Sequence, residues 1–142
     1  MERTDPGMDE LAEAWIRYQR RHRRTDRLPD EDPDDWALER LHDWFLLEED
    51  TIEPFWEAIL AICAGVQWGK DDDDDSWVVV MIGAGPLEDF ITKFEVRAMD
   101  LIEPQLDAND TLLKALAGAW TQTTTVGARV EQALADRGQE RY

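Results

Sequence analysis

The chain has 142 residues, with 33 acids against 15 lysines and arginines and a formal net charge of −18. Hydrophobic residues make up 43% of it, seven residues are tryptophan, and the single cysteine, Cys63, excludes an internal disulfide. Such a chain can bury roughly 68% of its unfolded surface, so one domain over 1–142 is expected, and its acidity argues against direct binding of nucleic acid or an anionic membrane.

The first predicted helix runs over 8–21, where Leu11, Ala14, Trp15 and Tyr18 recur at three- and four-residue steps. Asp9, Glu10 and Glu13 lie near its N-terminal end, and arginines gather at the other, as the helix dipole favours. Charge is most unevenly spread here. Residues 17–27 hold six arginines against one aspartate, a net +5, so the remaining residues hold −23. Such a split suits a charged partner or a salt-adapted surface.

After a polar segment, Asp32 is expected to cap a second helix with Pro33 in its first turn. That helix should bury Trp36, Ala37, Leu41, Trp44 and Phe45, with Leu38 and Leu47 widening the apolar face. A third helix, capped by Asp50 or Thr51, carries Ile52, Phe55, Trp56, Ile59, Leu60 and Cys63 on one stripe and stops near Gly65.

Residues 67–76 read as an acidic loop holding Asp71, Asp72, Asp73, Asp74 and Asp75, a run that repels itself. Residues 77–82 contain β-branched side chains but have no second strand-like run to pair with. They are therefore expected to form a short, fully buried helix capped by Ser76. Gly83, Ala84, Gly85 and Pro86 are expected to break the chain, with Pro86 restarting a helix through Phe90, Ile91 and Phe94 that continues toward Pro104. Another helix is expected over 111–120, a connection over 121–125, and a last amphipathic helix ending near Gly138. Residues 1–7 and 139–142 are expected to fray. The fold class is all-α, a compact bundle or stack of about six to eight helices in antiparallel pairs.

Several residues invite chemistry. Glu88 and Asp89 start a helix beside a glycine-containing turn, where carboxylates could grip an arginine or serve as a base. The structural role is favoured: such acids satisfy free amides, and Asp89 can pair with Lys93 one turn on. The glycines lack the P-loop lysine and pattern. Two histidines, His22 and His42, are too few for an imidazole-rich metal site. Asp71, Asp73 and Asp75 have calcium-loop spacing, but Ser76 and Ile82 stand where glycine and glutamate belong. No metal or other cofactor is expected. Cys63 reads as a packing residue. Five of the tryptophans, Trp120 among them, fall on or near core stripes. Trp68 and Trp77 flank the aspartate run, as aromatics beside acids do on recognition surfaces.

Trp15-Ile16-Arg17-Tyr18, Pro54 with Trp56, Ala84-Gly85-Pro86-Leu87-Glu88-Asp89 and Ala119-Trp120 follow one another in an order that resembles a family of small, acidic, all-helical bacterial proteins of unknown function. Its central signature is A-G-P-L-E-D, and the likeness spans roughly residues 10–122. The resemblance implies an all-helical fold and no particular activity.

No leader and no membrane span is read in the chain, so the cytoplasm is expected. The expected function is a non-catalytic interaction module, an immunity- or antitoxin-like inhibitor of a basic protein. Its partner-binding residues would be Asp71, Asp72, Asp73, Asp74, Asp75, Trp68, Trp77, Glu88 and Asp89. A helical scaffold or adaptor, in one version a homo-oligomer, is the alternative; a small carboxylate-dependent hydrolase is a remote one.

Overall fold

The computed structural model describes residues 7–23, 32–66 and 73–141; of Arg23, Asp73 and Asp74 only the backbone is described. Among them every regular element is helical: α1 (Met8–Arg23), α2 (Asp35–Leu46), α3 (Ile52–Gly65), α4 (Asp73–Ile82), α5 (Glu88–Phe94), α6 (Val96–Ile102), α7 (Asp110–Ala117) and α8 (Gly127–Asp136). The chain is all-α, and the described buried hydrophobic residues other than Ala119 form one cluster.

The stripe of α1 is wider than an amphipathic surface helix needs. Leu11, Ala12, Ala14, Trp15 and Ile16 are all buried, because α1 packs against α2, α3 and α4. α3 supplies the other central stripe, with Phe55, Ala58, Ile59 and Ile62 fully buried. Its Phe55 meets the ring of Phe90 edge-on at 5.3 Å, and Trp56 stacks on the same ring at 5.5 Å. These contacts tie α3 to α5.

The helix starts depart from expectation in how their side chains are used. α2 begins at Asp35, after a turn in which the Asp34 N–H donates to Asp32 Oδ1 at 2.8 Å. The carboxylates of Asp32 and Asp34 meet arginines of α1, so neither caps the helix. At α3 the Ile52 N–H donates to Asp50, whereas Thr51 gives its hydroxyl to the Trp44 carbonyl at 2.6 Å. Leu46 and Leu47 are exposed, so the apolar face of α2 ends before them.

The largest correction lies in the middle. Residues 73–76, expected as part of an acidic loop, are helical: α4 begins at Asp73, and Ser76 lies inside it. The helix is amphipathic, with Val78, Val79 and Ile82 buried but Trp77 and Val80 exposed. Nor do Gly83 to Pro86 break the chain. Gly83–Leu87 forms a π-helical turn, and the backbone stays helical over 73–94. A proline here removes a backbone donor and crowds the preceding turn, and the wider π turn absorbs both. Gly83 is needed for another reason: a Cβ there would lie 2.2 Å from the Ala115 carbonyl oxygen, so α7 crosses with almost no gap.

The chain turns sharply at Glu95, which has φ 51° and ψ −114°, separating α5 from α6. A 3-10 turn, Glu103–Gln105, holds Pro104. α7 is capped by Asn109, whose Oδ1 accepts from the Leu112 N–H at 3.0 Å. It ends at Ala117, so Trp120 stands outside it, 64% exposed rather than in the core. α8 closes on Gly138 at φ 65°, with the N–H groups of Gly138 and Gln139 returning to Ala135 and Leu134. The tail beyond is held. Arg141 donates to the carbonyls of Leu116 and Ala119 and to Thr121 Oγ1, closing the C-terminal end of α7.

Candidate functional site

The expected recognition residues do not form one surface. Trp68, Asp71 and Asp72 lie outside the described residues, and Asp73 and Asp74 are known only as the first helical residues of α4. Asp75 points inward. It is 0% exposed and receives both Nε and Nη2 of Arg20, at 2.9 and 3.0 Å. Helical backbone from Asp73 and this pairing leave no calcium-loop wrap around Asp75. Trp77 is 36% exposed on α4. Glu88 accepts a hydrogen bond from the Trp120 N–H at 2.7 Å, anchoring the segment after α7.

Asp89 differs from all of these. It is half-buried, and Lys93 does not serve it: Lys93 Nζ donates to the carbonyls of Trp44 and Leu47 and to Thr51 Oγ1, where it closes the end of α2. Asp89 instead lines a pocket of about 390 Å³ between α1, α2 and the π turn. Apolar walls come from Trp15 on α1, Leu38 and Leu41 on α2, Met81 on α4, and Pro86. Polar groups enter from three helices: Gln19 from α1, Glu39 and His42 from α2, and Asp89 from α5.

The π turn builds one side of this pocket. Gly85 and Pro86 line it directly, and a Cβ at Gly85 would meet nothing within 4 Å. Burial pushes the Asp89 carboxyl above its usual range, helped by the negative charge of Glu88 and opposed by His42. Gln19 is 5% exposed, yet its amide makes no hydrogen bond to any described residue. The little surface Gln19 keeps includes that amide, which opens into the pocket where water or a ligand can meet it. Sequence spacing alone singled out Asp89 but not Gln19, Glu39 or Met81. Gln19 follows Trp15 by one helical turn and offered the one available signal, a polar residue on an apolar stripe.

Cys63 is 4% exposed, and burial pushes its thiol up to about 12, which keeps it an unreactive thiol. Among the described residues no cluster of three or more histidine, cysteine or acidic side chains is arranged to hold a metal ion, and no helix is long and apolar enough to cross a membrane.

No curated protein and no solved structure matches the chain. Residues 24–138, which contain the whole π turn and every pocket residue except those of α1, match the model of a family of unknown function, DUF6869, and the chain belongs to that family.

Proposed function

We propose that this chain is a non-catalytic interaction module whose acidic exterior engages a basic protein. The supporting observation is how the basic stretch is spent. Arg17 forks onto Asp34 at 3.2 and 3.0 Å, Arg20 onto Asp75, and Arg21 onto Asp32 and Asp34. Elsewhere Arg97, Arg129, Arg137 and Arg141 each meet an acid. The described arginines are thus largely neutralised within the chain. Acids such as Glu10, Glu13, Asp43, Glu53 and Glu57 remain exposed without a hydrogen-bonded cation. A surface of one sign steers a partner of the other.

An immunity- or antitoxin-like inhibitor is the form this takes: surface acids occupy sites that phosphates would otherwise fill on a nucleic-acid-binding partner. The family-like A-G-P-L-E-D segment and a bacterial, cytoplasmic setting belong to the same reading. Affinity capture from the native host, followed by titration of the recovered partner at rising salt, tests it. A basic partner with steeply salt-dependent affinity is expected. Recovery of neutral or acidic partners alone, or affinity indifferent to salt, would overturn it.

The scaffold or adaptor reading draws on a different observation, the exposed Trp77 and Val80 on α4 together with Trp120. Its self-association version, in which residues 17–27 meet the acids of a second copy, is weakened because Arg17, Arg20 and Arg21 are already paired.

A further inference from the structure

We infer that the pocket between α1, α2 and the π turn is a binding site for an organic cation, an ammonium or guanidinium group carried on an apolar stem. The shape and the chemistry point the same way. Trp15, Leu38, Leu41, Met81 and Pro86 give a wall that a hydrocarbon stem can lie against. At that wall stand two carboxylates, Glu39 and Asp89, and the amide of Gln19, whose oxygen accepts.

The decisive group is Gln19. It is 5% exposed, lines the pocket and has no hydrogen-bond partner among the described residues, and the surface it keeps includes its amide. Asp89 likewise makes no hydrogen bond to any described residue. Arginines meet acids at many other places in this chain, so an unpaired, half-buried acid beside an unpaired amide that opens into the same pocket is exceptional here. An ammonium or guanidinium group supplies donors to both, and its charge offsets that of Glu39 and Asp89. An anion would meet both carboxylates, and a neutral apolar molecule would leave the amide unsatisfied.

This inference is independent of the acidic-surface reading: a charged exterior attracts any small cation alike, whereas a pocket rewards the stem. Each buried methylene multiplies affinity roughly fourfold. Titration of the full chain with methylammonium, butylammonium and hexylammonium, followed by the amide resonances of Gln19 and Gly85, reads this directly. Affinity is expected to climb at least tenfold from methyl to hexyl and to fall at least tenfold for hexanol and for hexanoate. D89N and Q19L, both close in size to the native residue, should each lower hexylammonium affinity at least fivefold, with circular dichroism confirming the helical fold. Equal binding of methylammonium and hexylammonium, or of hexanol and hexylammonium, would overturn the site.

The cation has two sources, a free amine or the side chain of a protein. A second titration uses a short peptide with one arginine and the same peptide with citrulline there. Tighter binding of the arginine peptide than of butylguanidinium assigns the pocket to a partner's side chain, and the reverse order assigns it to a free amine. Failure of the amines, butylguanidinium and the arginine peptide to shift Gln19 would end the proposal.

Discussion

Two glycines, two positions apart in the π turn, have opposite reasons to be there. At Gly83 a methyl group would lie 2.2 Å from the Ala115 carbonyl oxygen and 3.3 Å from the Ala119 nitrogen, so backbone must move. Overpacking of that kind costs about 1–3 kcal/mol or more. At Gly85 nothing lies within 4 Å, and alanine favours helix by about 1 kcal/mol over glycine. Thermal unfolding should therefore separate the pair: G83A melts lower, and G85A melts at or above the native temperature. A similar contrast applies to Arg20. Its removal strips a fully buried Asp75 of a bidentate guanidinium, the kind of loss that costs about 3–5 kcal/mol. Because the arginine side chain is 40% exposed, solvent screening brings the expected loss below that range, to about 2–3 kcal/mol for R20A by urea unfolding. A loss below about 1 kcal/mol would show that water replaces the guanidinium.

At the scale of elements, pairing and burial act on acids in opposite directions. The Arg17 guanidinium, against some burial and with Arg21 behind it, holds Asp34 below the ordinary aspartate value of 3.8. An acid depressed in the folded state stabilises the fold above the unfolded value, and that contribution is lost as pH falls through the depressed one. Asp89 is raised, chiefly by burial, so its ionised form weakens the fold and acidification relieves it. D89N should accordingly melt higher than the native chain at neutral pH, and the difference should vanish on acidification below the ordinary aspartate range. D34N should melt lower at neutral pH, with its deficit shrinking in acid. These elements were unevenly legible in the sequence. The stripe of α3 and the ends of α1 and α8 follow from periodicity and local signals. The π turn did not, because Gly-Ala-Gly-Pro reads locally as a breaker. Only the close crossing of α7 at Gly83, a contact between distant residues, gives that glycine a helical use. The turn at Glu95 was equally hidden, since a glutamate at φ 51° carries no glycine signal.

At the scale of the whole molecule, the charge split is real in sequence and, among the described residues, much smaller in space. Residues 17–27 looked like a basic patch because linear counting cannot see that Asp32, Asp34 and Asp75 return to Arg21, Arg17 and Arg20. The same folding withdraws Asp75 from any partner while bringing Gln19, Glu39 and Asp89 to one pocket, a juxtaposition of three helices that no motif spells out. What the pairing leaves over is self-repulsion. With −18 net charge and its described arginines mostly neutralised, the folded chain concentrates like charges that the unfolded chain spreads apart. Salt should therefore stabilise it. Between about 0.01 M and 0.1 M the screening length drops from roughly 30 Å to roughly 10 Å, shorter than most separations across a domain of this size. Exposed pairs such as Arg97–Asp50, at 2.9 Å, weaken over the same interval, but pairs so open to solvent contribute little. The melting temperature should rise as sodium chloride is raised through that interval, then flatten once surface charges no longer sense one another. A melting temperature that falls steadily with salt would mean the ion pairs outweigh the repulsion, and the surplus acids would then lie too far apart to act together on a partner.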